Sequence, residues 1–233
     1  MRIPLALALL LTCAACSQDD APADEVVAAA EEIVDPAPQP SPLARGKWAP
    51  QDDCATVEGA DRFRDRLAAA VEARDADALV ALAAEDVKLD FGGGAGRAEL
   101  RARLDDEAGK LWEELDELMA LGCSANDQGG VTIPWYFDQD MGVADPFMSM
   151  LVTGEDVPVY RSADRGAARV AAVSWDVVGI ESLNPESEFQ QVTLGEDETG
   201  FVATDKLRSL VDYRLIASSR NGRWRITSLV AGD

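Results

Sequence analysis

Three carboxylates, Asp138, Asp140 and Asp145, follow directly on the aromatic residues Trp135, Tyr136 and Phe137. Glycoside hydrolysis needs such a pair of acids, one to protonate the leaving oxygen and one to attack or to activate water, and aromatic rings beside them line sugar clefts. The chain holds 43 acidic residues, however, so three aspartates in one loop need no catalytic task. Asp145-Pro146 also has the form of a helix cap followed by a first-turn proline, and the aromatic triplet reads as core. Histidine is absent throughout. That removes Ser-His-Asp and Cys-His nucleophiles, histidine-based zinc sites and the usual charge switch near neutral pH. No serine begins a Ser-x-x-Lys motif, which argues against penicillin-binding chemistry. The run FGGGAG, Phe91 to Gly96, lacks G-x-G-x-x-G spacing and no Gly-Lys-Ser/Thr follows it, so it is expected to be a mobile strand-to-helix turn rather than a phosphate cradle. Carboxylate, tyrosine or lysine chemistry is what remains; no catalytic residue, cofactor or metal is assigned.

The formal charge of −22, from 43 acidic against 21 basic residues, argues against nucleic acid as a partner, because each phosphate contact needs a cation. The imbalance is uneven: residues 17–53 hold 9 acids and 2 bases, residues 54–151 hold 21 and 9, and residues 152–233 hold 13 and 9. The last stretch is therefore the least repulsive to an anionic partner. Elsewhere the acidity serves solubility.

Residues 1–16, MRIPLALALLLTCAAC, join a basic start at Arg2 to an apolar run from Ile3 to Leu11 and small residues before a cysteine, the pattern of a secretory signal. Their end resembles a bacterial lipoprotein signal, which implies a lipidated cysteine. Cys16 follows Ala14 and Ala15, whereas Cys13 follows Leu10 at three positions but has Thr12 just ahead. Lipidation at Cys16 removes Cys13 with the signal and leaves Cys54 and Cys123 as an even pair, preferable in an oxidising compartment; Cys13 stays the alternative. A disulfide between Cys54 and Cys123 is expected. Residues 17–53 hold six of the eleven prolines and are expected to form a disordered acidic tether, interrupted by a short helix through Val26 to Val34. Such a tether reaches roughly 35 Å as a coil and roughly 110 Å as polyproline.

From Cys54 the period becomes helical. Phe63, Leu67 and Val71 recur at four-residue spacing. A second helix starts near Ala76, capped by Asp75 or Asp77, with Leu79 and Leu82 inward. Val87, Leu89 and Phe91 alternate as one face of a strand. Further helices start near Arg97 and run from Leu111 to Leu121, ended by Gly122. Helix, helix, strand, glycine turn and helix resemble the opening of nuclear-transport-factor-2-like α+β cones over about fifty residues. A second strand is expected over Val131 to Phe137. Asn221-Gly222 is a tight-turn signal joining Tyr213–Ser219 to Trp224–Val230, with Trp224, Ile226, Ser228 and Val230 on one face. Lone strands must pair their backbones, so this hairpin is expected to return to the first sheet and complete the helical α+β domain of residues 54–150 with residues 211–233.

Between them, residues 151–210 carry short apolar runs separated by turn residues, as a small bent β-barrel requires. The order Thr153-Gly154-x-x-Val157-x-Val159, Arg161-Ser162, Val173-Ser174-Trp175-Asp176-Val177-Val178 and Gly200-Phe201-Val202 before Leu207-Arg208-Ser209 resembles the bacterial Src-homology-3 family. Pro158, Phe189 and Phe201 depart from its usual residues. The resemblance implies a five-stranded barrel acting as a binding module, with ligand contacts at Tyr160, Arg161, Trp175 and Asp176; Trp175 reads equally as a buried plug. Arg208, Arg214, Arg223 and Arg225 form either a small basic patch or salt bridges. The fold expected is thus α+β, a helix-rich domain with a small antiparallel sheet plus a Src-homology-3-like barrel. The function expected is that of a non-enzymatic lipoprotein, anchored to a bacterial membrane on its periplasmic side, binding cell-wall peptide, glycan or another envelope protein. The alternatives are a carboxylate-dependent enzyme or small-molecule binder using the helical domain, and a structural subunit contact.

Overall fold

The computed structural model describes residues 46–195 and 198–232; Cys13, Cys16 and the helix expected through Val26 to Val34 lie outside the described residues. Phe63, Leu67 and Val71 form the buried face of helix α1 (Ala60–Glu72). Asp75 caps α2 (Ala76–Leu82), its Oδ1 accepting the Ala78 N–H at 2.9 Å, while Asp77 sits in the first turn. Leu100 and Leu104 face inward from α3 (Arg97–Asp105), and Leu111, Leu115 and Leu118 from α4 (Leu111–Met119). These faces converge with Leu79 and Leu82 in one core.

The helices cover one face of a five-stranded sheet. Its strands are β1 (Ala83–Lys88), β2 (Ser124–Ala125), β3 (Val131–Ile133), β11 (Arg214–Arg220) and β12 (Arg223–Val230), in the order β1-β12-β11-β3-β2. The chain's last two strands thus lie between its first and third, with β12 parallel to β1 and antiparallel to β11. Asn221 and Gly222 both have positive φ, 54° and 71°, as a two-residue hairpin turn demands.

Three expected strand faces are corrected. The strand expected over Val87 to Phe91 instead ends at Lys88. Asp90 Oδ1 accepts the N–H groups of Gly92 and Gly94 at 2.8 and 2.7 Å and turns the chain, leaving Phe91 48% exposed while Val87 and Leu89 stay buried. The strand expected over Val131 to Phe137 stops at Ile133, because Pro134 brings no donor and Trp135–Asp138 coil into a 3-10 turn. In β12 a bulge leaves Thr227 between pairs, Ile216 opposite Ser228 and Ala217 opposite Ile226. The extra residue shifts the alternation, so Leu229 takes the core place expected for Ser228.

The segment between β3 and β11 supplies a second sheet of seven strands: β4 (Ser149–Val152), β5 (Val157–Tyr160), β6 (Arg169–Val173), β7 (Val177–Gly179), β8 (Phe189–Leu194), β9 (Glu198–Ala203) and β10 (Leu207–Ser209). Their order is β10-β4-β7-β8-β9-β5-β6, with β10 and β6 as unjoined edges, so this sheet has seven strands and is open where a five-stranded barrel was expected. Met150, Val152, Val157, Val159, Val178, Ile180, Val192 and Val202 fill its core. Trp48, Leu121, Trp135, Tyr136, Leu151 and Leu210 pack as a further cluster that draws on both sheets' surroundings. Of the disordered tether expected over residues 17–53, the part before Gly46 lies outside the described residues, and the rest is corrected: Trp48 and Ala49 are buried, and the Trp48 N–H donates to the Trp175 carbonyl at 2.8 Å. Proline and acid content mask one large apolar anchor there.

Removing residues 211–233 is expected to abolish cooperative unfolding and most helical circular dichroism, since β1 loses its one strand partner and β3 keeps only the two-residue β2; a deletion chain with native helicity contradicts this topology. Ile226→Ala, at a fully buried position, is expected to cost about 3 kcal/mol in denaturant unfolding.

Candidate functional site

Each carboxylate of the acidic loop is engaged locally. Asp138 Oδ2 accepts the Ser124 hydroxyl at 2.5 Å, Asp140 Oδ1 accepts the Gly142 N–H at 2.9 Å, and Asp145 Oδ1 accepts the Phe147 N–H at 2.9 Å. Each aspartate holds a local turn or strand. Trp135 and Tyr136 are core, and the small cavity beside them, about 200 Å³, has Asp140 as its one acidic lining residue. The glycine run is equally occupied: the amides that a phosphate would need are taken by Asp90, whose other oxygen pairs with Arg103. Arg103 and those amides hold the Asp90 carboxyl below its ordinary range.

The four residues expected to meet a ligand do not converge. Tyr160 is buried, edge-on to Phe189 with ring centres 5.8 Å apart. Tyr160 alternates to the face opposite Val157 and Val159 and packs there with Phe189 and Ala203, correcting the expected exposure. Trp175 is half-buried against the Trp48 cluster, with φ of 42°. Its N–H donates to Gly154 before β5, whereas Tyr160 and Arg161 follow at the strand's far end. Three residues of strand alone separate the two places by about 10 Å. Arg161 and Asp176 are exposed, but at these opposite ends.

Between them runs the edge strand β6, paired only with β5. Arg169, Val170 and Ala172 are exposed, Val170 by 44%. Ala172 faces Pro158, which has no N–H to give. Ladder bonds alternate along an antiparallel pair, so the Ala172 N–H and C=O point outward. An uncovered edge of this kind is a template for an added strand.

The expected basic patch divides. Arg208, 3% exposed, reaches from β10 to α4: its Nη1 lies 2.7 Å from Glu117 and 3.6 Å from both Glu114 and Asp212, and its Nη2 donates to the Tyr213 carbonyl. Arg208 Nε and Glu114 Oε2 lack hydrogen-bond partners. Burial opposes the Arg208 charge, but Tyr136, Asp212 and Glu114 outweigh it and hold the guanidinium above its ordinary range. Burial, reinforced by Asp212, pushes the Glu114 carboxyl up. Arg214 is also buried, over the Phe137 ring at 4.4 Å and donating to the Gly232 carbonyl. Arg223 and Arg225 lie instead on the open face of the first sheet, where Arg220, absent from the expected patch, joins them. The Asn-Gly turn was the available signal, since a two-residue hairpin sets residue 220 opposite 223.

Cys54 and Cys123, both fully buried, stand at disulfide distance with Cα atoms 5.7 Å apart. A bond across their separation of 69 residues constrains the unfolded chain by about 4 kcal/mol in the entropy model. No helix among the described residues is long and apolar enough to cross a membrane. No family model, curated protein or solved structure matches the chain.

Arg208→Met is expected to lower stability by about 1 to 2 kcal/mol, because the half-buried Glu114 and Asp212 lose their cation while the exposed Glu117 is screened by solvent; adding Glu114→Gln to that variant recovers part of the loss in denaturant titrations. Because folding raises the Glu114 carboxyl above its ordinary value of 4.5, the folded state holds that proton more tightly, and stability falls as pH rises through this range. Glu114→Gln alone is expected to flatten that slope in unfolding titrations run upward from the ordinary carboxylate value.

Proposed function

We propose that this chain is a non-enzymatic cell-envelope lipoprotein whose second sheet, a Src-homology-3-like module, binds an extended cell-wall peptide or glycan, or a segment of another envelope protein. The observation that carries the reading is the uncovered edge β6, with Val170 and Arg169 exposed along it and outward backbone groups at Ala172. Strand pairing supports the module assignment: the Thr-Gly-x-x-Val-x-Val strand β5 lies between β6 and β9, and β8 and β9 form a hairpin beside it. Cysteines poised for a disulfide support an oxidising compartment, and the signal-like residues 1–16 support lipidation at Cys16.

Ligand specificity then comes from side chains flanking the added strand, with Arg161 at one end and Asp176 at the other offering opposite charges to a peptide or amino sugar. The acids of the 138–145 loop have structural partners, so the reading gives them no part in chemistry.

Two experiments test it. Cells fed labelled palmitate are expected to label the wild-type protein and not Cys16→Ala. Wild-type protein is expected to be retained on purified sacculi or to crosslink to an envelope protein from a photoreactive residue at position 170. Ala172→Pro removes an outward donor while sparing the β5–β6 ladder, and is expected to reduce either signal about tenfold, with Arg161→Ala producing a smaller loss. Unlabelled protein, or a wild type that neither binds sacculi nor crosslinks, overturns the reading.

A further inference from the structure

Strand alternation sends Leu215, Ala217, Trp224 and Ile226 into the helix-covered core, and so turns Ser218, Arg220, Arg223, Arg225 and Thr227 to the opposite face. The hairpin register places Arg220 directly across from Arg223 and Ser218 across from Arg225. These side chains, with Ala84 and Asp86 of the neighbouring β1, line a groove of about 230 Å³. At roughly 30 Å³ per water, that space suits a phosphoryl group carrying a small alcohol.

The charge arrangement is costly without a ligand. Like charges directly opposite in an antiparallel pair are destabilising, and Arg220 and Arg223 form such a pair in a chain where acids outnumber bases two to one. Arg64, Arg74, Arg101, Arg103, Arg165 and Arg208 find carboxylates, while Arg62, Arg66, Arg97, Arg161 and Arg169 form no ion pair among the described residues but do not face another arginine across a strand pair. Among the described residues, Arg220, Arg223 and Arg225 have no ion pair, although Asp86 lines the same groove. Arg225 Nη1 donates to the Trp224 carbonyl and the Thr227 hydroxyl to the Ile216 carbonyl, which fixes both side chains across the groove floor.

We propose that this groove binds the phosphoryl group of a phosphate monoester. Three guanidinium groups against one carboxylate leave a formal charge of two, and a phosphate monoester carries about −1.5 to −2 at pH 7. A single carboxylate leaves half of that charge uncompensated. Planar guanidinium forks give paired hydrogen bonds to phosphoryl oxygens, and the Ser218 hydroxyl adds a donor on the same face. The site lies on the first sheet and is independent of the β6 edge.

The test is calorimetric titration of the full chain with glycerol 3-phosphate and with succinate in a phosphate-free buffer, alongside sedimentation with phosphatidylcholine vesicles with or without phosphatidic acid. The wild type is expected to bind the soluble ester, the phosphatidic acid vesicles or both, more weakly as salt is raised. Binding of the soluble ester indicates a free metabolite-like source, and binding of the vesicles alone indicates a lipid headgroup. The double variant Arg220→Gln/Arg223→Gln is expected to lose at least tenfold in affinity and, without ligand, to melt at a higher temperature than the wild type. No binding to either phosphate source, undiminished binding by the double variant, or equal affinity for succinate overturns the proposal.

Discussion

The first sheet cannot exist without the closing hairpin. β1 and β3 are short, and neither pairs with the other; β12 and β11 fill the space between them and supply every long ladder of the sheet. The same hairpin gives Trp224 to stack on Phe63 at 5.7 Å and Ile226 and Leu229 to the core beneath the helices. Because buried backbone groups must be paired, helices, glycine turn and outer groove all inherit their places from this one pairing.

The second sheet is tied on by different means. Its strands have their own apolar core, while Leu151 and Leu210 join Trp48, Leu121, Trp135 and Tyr136. Beside that apolar seam Arg208 carries a positive charge into a nearly dry junction and meets acids from α4 and from the turn before β11. A well-packed hydrophobic residue serves net stability as well as a buried ion pair does. What the guanidinium adds is direction, because its bonds from Nη1 to Glu117 and from Nη2 to the Tyr213 carbonyl form only when β10 and α4 stand in one relation. The apolar seam supplies adhesion and Arg208 supplies register.

Period and punctuation made much of this readable from residues alone. The four-residue spacing of Phe63, Leu67 and Val71, the Asp75 cap and the Asn221-Gly222 turn are local signals, and each produced the local structure its chemistry requires. The unpaired-strand argument likewise led to the hairpin's position. Misreadings arose where one residue outside the pattern redirected the chain, Asp90 turning the backbone before Phe91, Pro134 ending β3 and the bulge at Thr227 changing which way side chains face, and where a second apolar cluster covered Tyr160 on the outer face of its strand. Alternation assumes a regular ladder, and a bulge is a property of two strands together. The same limit hid the site: the burial of Tyr160 and Trp175 depends on partners far along the chain, whereas the Arg220–Arg223 pairing needed only the turn between them.

The parallel pairing of β1 with β12 joins Ala83 to Ile226, a very long sequence separation. Such topologies fold slowly, since chain closure entropy is lost before the contact repays it. During synthesis, a nascent chain lacking residues 214–230 holds helices with half a sheet and no stable arrangement to collapse into. The fold therefore contains its own delay: the first sheet closes only once the last strands have been made.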